Sequence, residues 1–346
     1  MQIEIISFTE QGSRQAEKIE KVLTAYGEVK TTNGKQMKIS LQQWSKEAFS
    51  KAQLLVFAGA VGIAVRAIAP FVRDKFTDPA VLVVDEKGTY VIPILSGHVG
   101  GANEYALSLA KEIGAEAVIT TATDLNGRFA VDVFAGKNHL FIKDRSWAKE
   151  ISVAVLQGEK IQFFCEKNAI GSLPEELLGM ESEEKQVESS KDGGKPDSKH
   201  QILVGIHTSC HLIPRAVTLG IGCRRGKTEQ EIEQFVRKQL EENQIALESI
   251  SCVASVDKKG DEPGLLAFCE KYALPFQIFS AEQLKQAEGV FTESPFVEEN
   301  IGVGNVCERA AVCAWREEKS HLILSKTAEN GMTLAIAEKE WSVIFE

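Results

Sequence analysis

Apolar positions along this chain alternate between two rhythms, short β-branched runs and stretches spaced at three and four residues. The alternation predicts an α/β protein. Ile3 to Phe8 reads as a strand, and Ser13 to Tyr26 as an amphipathic helix with Ala16, Ile19, Val22 and Leu23 inward. Leu41 to Phe49 has helical spacing, and Leu54 to Phe57 is a wholly apolar strand that runs into GAVGIAVR, a turn bearing Gly59 and Gly62 with Arg66 one helical turn beyond Gly62. Ala80 to Leu95 reads as a hairpin reversing at Asp85, Glu86, Lys87 and Gly88. It feeds TYVIPILSGHVGGANEYALSLAKEI, where a strand meets a turn of Ser96, Gly97, His98, Gly100 and Gly101. The helix that follows puts Ala102, Tyr105, Ala106, Leu109, Ala110 and Ile113 on one face. Gly114 is a natural C-cap, and Ala117 to Thr120 is a short strand that ends in TTATD.

Beyond Arg128 the pattern is less regular. Trp147, Ile151 and Val155 share a face, IQFFC (161–165) reads as a strand, and Ile202 to Ile206 as another. Between them ESEEKQVESSKDGGKPDSKH has no apolar periodicity and is expected to be a mobile insertion. A second α/β unit opens with the strand Val217 to Ile221, the basic turn GCRRGKT and the helix Glu229 to Leu240, with Thr228 as N-cap and Glu231 three residues on. Ile250 to Val256 and Pro275 to Phe279 read as strands, Val303 to Trp315 as a helix, and HLILSKTAENGMTLAIA as a hairpin turning at Asn330-Gly331. The expected division is an N-terminal domain over 1–139, a weakly patterned middle region over 140–214 with its insertion near 181–200, and a C-terminal α/β domain over 215–346.

Composition narrows the function. The chain has 346 residues, 44% of them hydrophobic and 25% charged, and a net charge of −10. That acidity argues against nucleic acid as a partner, although local cations can still receive a small anion. The apolar run at 54–65 is shorter than the roughly 18 residues of a membrane span, and MQIEIISFTE has no export signal, so no membrane partner and a cytoplasmic location are expected. Seven cysteines without a C-x-x-C pair fit a reducing compartment, and no His and Cys set has metal-ligand spacing. The first βα turn, FTEQGSRQ, lacks the dinucleotide fingerprint, and there is no Walker A loop.

Candidate chemistry collects at the glycine turns. The turn at Ser96 to Gly101 precedes a helix N-terminus, where backbone N–H groups can receive a carboxylate or an oxyanion, and His98 is the side chain in it suited to proton transfer near neutral pH. The bland alternative is that His98 only caps the turn. Thr121, Thr123 and Asp124 follow the next strand, so the loops around Gly59, Ser96 and Thr121 are expected to converge on one cleft. Asn103 is either a ligand contact or a helper of the helix's first turn. Gly222, Arg224 and Arg225 form either an anion receptor or a solvated loop. Lys258 and Glu262 end another strand of that domain and are expected to share its cleft as ligand contacts, and Glu308, on an otherwise apolar helix, is either a buried partner or a ligand contact. Cys223 and Cys307 have no base fixed on them and are read as packing groups.

SGHVGGAN with TTATD downstream, then LGIGCRRGKT, DKKGDEPG and GVGNVCERAAV, in this order, resemble the cobalt-precorrin-5A hydrolase (CbiG) family of anaerobic cobalamin biosynthesis. The likeness covers almost the whole chain, and 216 onward is similar to the stand-alone CobE protein. The resemblance implies opening of the δ-lactone between the ring A acetate and C20 of a corrin precursor, with the two-carbon unit leaving as acetaldehyde. It implies an anionic cobalt-tetrapyrrole substrate that carries its own metal, hence no cofactor, and transient contact with other enzymes of the pathway. On this reading His98 is the base, the amides of Gly97, Gly100 and Gly101 stabilise an oxyanion, and Arg224 and Arg225 receive substrate propionates. The alternative function is a non-catalytic carrier of a labile corrin intermediate.

Overall fold

Thr9 closes the N-terminus of the first helix by accepting the Gly12 N–H at 3.0 Å, and Ala16, Ile19 and Leu23 bury that helix against the sheet. From this βα pair the computed structural model builds an α/β unit over Met1–Gly136, and a second unit follows over Lys137–Glu346. The structure describes residues 1–121, 127–179, 200–315 and 318–345. The insertion expected near 181–200 lies outside them except for His200.

In the first unit the chain runs β1 (Gln2–Ser7), α1 (Glu10–Leu23), β2 (Glu28–Asn33), α2 (Leu41–Lys51), β3 (Leu54–Ala58), α3 (Val61–Ile68), β4 (Ala80–Val84), β5 (Tyr90–Leu95), α4 (Ala102–Ile113) and β6 (Glu116–Ala117). The sheet order is β2-β1-β3-β4-β5-β6. Every residue of β3 and β4 is buried, as central strands covered on both faces require. The edge strand β2, EVKTTN, escapes the hydrophobic pattern because one side of an edge needs little burial.

Strand direction decides where function can lie. β2, β1, β3 and β4 are parallel, but β5 runs antiparallel to β4, with Val81 opposite Leu95 and Val84 opposite Val91. β6 is parallel to β5. The turn after β5 therefore stands beside the start of β4, whereas Gly59 follows Ala58, whose partner Val84 ends β4. A five-residue strand separates these edges by about 13 Å. The expected convergence of the Gly59, Ser96 and Thr121 loops is corrected on this ground: the hairpin reversed the chain before the histidine turn was reached.

The second unit carries two five-stranded sheets. One holds β7 (Leu140–Ile142), β8 (Ile161–Cys165), β10 (Leu177–Gly179), β11 (Gln201–Val204) and β12 (Leu212–Pro214), and the strand β9 (Asn168–Ile170) pairs separately with β18 (Ser342–Ile344). The other has β13 (Val217–Cys223), β14 (Ile250–Val256) and β15 (Phe276–Phe279) parallel, and the hairpin β16 (Ser320–Glu329) and β17 (Met332–Lys339) antiparallel beside β13. Its core joins Leu219 and Ile221 of β13 to Phe235 and Leu240 of the helix Glu229–Glu242. The helix expected over Val303–Trp315 is only Cys307–Cys313. Asn305 takes the Glu308 N–H on its side-chain oxygen at 2.9 Å, so a local side-chain bond starts the helix there and the GVGN stretch stays out of it.

Candidate functional site

The turn between β5 and α4 is built by a chain of short-range bonds. Ser96 adopts a φ of 54° and is buried, and its hydroxyl donates to the Asp78 carbonyl at 3.0 Å. Its own carbonyl accepts the Ala102 N–H, and the Gly97 carbonyl accepts that of Asn103. A Cβ at Gly100 would lie 2.5 Å from the Ser96 Cβ, and Gly101 sits at a φ of 78°, so a side chain at either position would break the turn. The Gly101 N–H donates to the His98 carbonyl at 2.9 Å. That bond is part of the turn, so the expectation that Gly101 donates to an oxyanion is corrected.

His98 faces a carboxylate that the sequence reading had not singled out. Asp132 lies in the first turn of the helix Val131–Lys137, and its Oδ1 is 3.4 Å from His98 Nδ1. Catalytic pairs in unliganded proteins are often this long. Lys75, from the loop between α3 and β4, places its Nζ 3.1 Å from the other oxygen of Asp132. That loop is held by Asp78, whose Oδ2 accepts the Arg73 and Asp74 N–H groups at 2.8 and 3.0 Å. The side chains of His98 and Asp132 are 16% and 10% exposed, so the imidazole is neither sealed in hydrocarbon nor loose in solvent. Burial raises the Asp132 carboxyl, but His98 and then Lys75 outweigh it and bring the pKa down to about 2. Asn103 is buried and donates to Thr121 Oγ1 at 2.7 Å, which joins the end of the β6 segment to the start of α4.

The first unit therefore brings together His98, Ser96, Gly97, Gly100, Gly101, Asn103 and Thr121. It does not bring Gly59, Gly62 or Arg66 to them. Gly59 donates to the Val84 carbonyl at the far edge, and the exposed Arg66 bonds back to the Gly62 carbonyl at 3.0 Å. Thr123 and Asp124 lie outside the described residues. A charged residue entering an otherwise apolar helix, VDVFA, was the signal that could have found Asp132. Lys75 had no signal of its own, because its place depends on how the loop folds back.

In the second unit Gly222 and Arg224 line a cleft at the carboxyl end of β13, with Lys259 and Lys326, two cations absent from the sequence reading. The other expected residues are occupied elsewhere. Arg225 is exposed and pairs with Asp261 at 3.2 Å, and Lys258 donates to the Asn300 carbonyl at 2.8 Å. Glu262 is buried and accepts the Gly226 N–H at 2.7 Å and Lys259 Nζ at 3.1 Å. Its burial raises the carboxyl, yet these two partners hold it below its usual range. Glu308 is buried and accepts from the Thr292 N–H and hydroxyl, Asn305 Nδ2 and the Lys326 N–H at 2.7 to 3.0 Å. Both carboxylates tie loops together, which corrects the expectation of a ligand contact at Glu262 and, of the two readings of Glu308, matches the buried partner. Burial pushes the Cys223 thiol up and that of Cys307 to about 11, in keeping with packing roles. Among the described residues no group of three or more His, Cys, Asp and Glu is arranged to hold a metal, and no helix is long and apolar enough to cross a membrane.

Comparison with known proteins agrees with this two-part layout. Residues 43–124 match the family described as cobalamin synthesis G N-terminal, and residues 217–337 match cobalamin synthesis G C-terminus. A cobalt-precorrin-5A hydrolase of Salmonella typhimurium is 34% identical over 301 residues, 84% of either chain. One of Priestia megaterium is 31% identical over 303 residues, 83% of this chain and 79% of that one. Protein CobE of Sinorhizobium is 29% identical over 122 residues, 35% of this chain and 79% of its own. The chain belongs to the cobalamin synthesis G (CbiG) family and has a role in cobalamin biosynthesis.

Proposed function

We propose that this protein is a cobalt-precorrin-5A hydrolase that opens the ring A δ-lactone and releases the C20 two-carbon unit as acetaldehyde. The observation that carries the reading is the pairing of His98 Nδ1 with the buried, ionised Asp132 at a glycine turn, in a chain whose relatives are hydrolases of that name. With Nδ1 protonated toward Asp132, Nε2 keeps the lone pair and can take a proton from water as it attacks the lactone carbonyl. The imidazolium so formed is stabilised by Asp132, and Lys75 keeps that carboxylate ionised. The bond between the acyl carbon and the ring oxygen then breaks as the imidazolium returns its proton to that oxygen, which stays on C20 as a hydroxyl. Loss of that hydroxyl proton allows the carbon–carbon bond to the macrocycle to break. Its electron pair stays on the macrocycle, which is protonated, and acetaldehyde departs. Gly97 and Gly100 supply the oxyanion donors in this account.

The cobalt arrives within the substrate, and the chemistry needs no cofactor of the protein. The reaction would run in the cytoplasm, in brief contact with the enzymes that deliver and take up the labile macrocycle. Incubating the purified chain with cobalt-precorrin-5A and trapping acetaldehyde tests the reading. Stoichiometric acetaldehyde is the expected result. Macrocycle bound and recovered intact would identify a carrier instead.

A further inference from the structure

A cleft of about 470 Å³ opens where β13 and β14 of the second unit end, within the roughly 300–1,000 Å³ of small-molecule sites. Its walls are of two kinds. Val256, Val297, Ile301, Val306 and Met332 give it apolar surface, and Arg224, Lys259 and Lys326 bring three cations. Lys259 is already paired with the buried Glu262, and Glu329, the carboxylate of the lining, is paired with Lys238. Among the described residues the Arg224 guanidinium and the Lys326 ammonium have neither a hydrogen bond nor an ion pair. Two uncompensated cations over an apolar floor, in a chain whose net charge is −10, are the complement of an amphipathic anion. The backbone that presents them is fixed: Arg224 N–H donates to the Gly331 carbonyl at the β16–β17 turn, and Lys326 N–H donates to Glu308.

We propose that this cleft seats one carboxylated edge of a flat apolar macrocycle, with Arg224 and Lys326 receiving carboxylates while the valine, isoleucine and methionine walls cover the ring. The inference rests on the proposed function for the identity of the natural ligand. It goes further in assigning Lys326, five residues before the hairpin's glycine by sequence count and unremarkable there, as a binding residue, and in giving the apolar half of the recognition to Met332 and Ile301. Small carboxylates alone would leave that half unused, and an uncharged ring would leave both cations without partners.

The test uses the full chain and coproporphyrin, a metal-free porphyrin with four carboxylates, as the probe, followed by its fluorescence. Binding in the micromolar range is expected, with Arg224→Glu and Lys326→Glu each weakening it about tenfold and the pair by more. Arg224→Lys keeps most of the affinity, and His98→Gln leaves it unchanged. Should charge reversal lower the melting temperature, Arg224→Gln and Lys326→Gln at parental melting temperature decide, with a loss of about threefold or more expected. Affinity within twofold of the parent in the folded double variant, or no binding by the parent at about 100 µM probe, overturns the proposal. Charge-dependent binding by a parent chain that releases no acetaldehyde would defeat the hydrolase reading and leave the cleft standing. Acetaldehyde release with charge-independent binding would do the reverse.

Discussion

His98 and Arg224 stand in glycine-bearing turns that look alike as text, SGHVGG and GCRRG, and both follow strands of α/β sheets. Their surroundings differ in kind. The first turn is filled by its own bonds and offers one imidazole backed by a buried carboxylate and a lysine, which suits moving a proton. The second opens on a cleft with apolar walls where, among the described residues, the side chains of Arg224 and Lys326 lack partners, which suits holding an anion. A glycine turn is thus a place where chemistry can be put, and the partners brought from elsewhere in the fold decide which chemistry it is.

The comparison is broken most sharply at Asp132. Asp132→Asn removes the anion behind the imidazole and is expected to lower kcat by about 100-fold or more with little change in KM, read from acetaldehyde release. The same variant has a stability signature. A carboxyl that falls from 3.8 to about 2 on folding contributes about 2 kcal/mol that is fully present above pH 4 and disappears as pH falls toward 2. Urea unfolding of parent and variant should therefore converge at pH 2 and diverge by pH 5. On the other side, Arg224→Glu with Lys326→Glu should raise KM about tenfold with kcat within threefold of the parent, the split expected of residues that bind without taking part in bond breaking.

Two smaller tests sharpen the boundary of each region. Glu308→Ala leaves its buried donors unpaired and should cost about 3 kcal/mol or more of stability. Because Glu308 also holds the Lys326 N–H, coproporphyrin affinity of the molecules that remain folded should fall by about threefold at most, whereas a ligand contact would lose affinity without losing stability. Arg66→Ala, at the far edge of the first sheet, should leave kcat/KM within twofold. A larger drop would mean that the edge at Gly59 also meets substrate.

Much of the fold was legible because buried strands and amphipathic helices repeat with their own periods. Leu54 to Phe57, the Thr228 capping box and the Asn330-Gly331 reversal all form as their spacing predicts. What the periods do not carry is direction. Nothing in GAVGIAVR or SGHVGG says that a hairpin lies between them and sends their turns to opposite edges, although the hairpin itself was readable. The site was legible to the same degree. His98 and Arg224 carry chemistry in their side chains, but Asp132, Lys75 and Lys326 acquire theirs from neighbours 34, 57 and 102 residues away: His98 beside Asp132, Asp132 beside Lys75, and Arg224 in the cleft of Lys326. Glu262 misled and Glu308 kept two readings for the converse reason, since a carboxylate amid apolar residues can bind a ligand or bind the protein's own amides, and spacing does not separate the two.

The most direct test of the account is the rate at which His98→Gln releases acetaldehyde from saturating cobalt-precorrin-5A, with its coproporphyrin affinity measured on the same sample. A rate at least about 100-fold below the parent, at unchanged affinity, is the result predicted for a base held by Asp132. A rate within threefold of the parent would contradict it and return His98 to the role of a residue that merely shapes its turn.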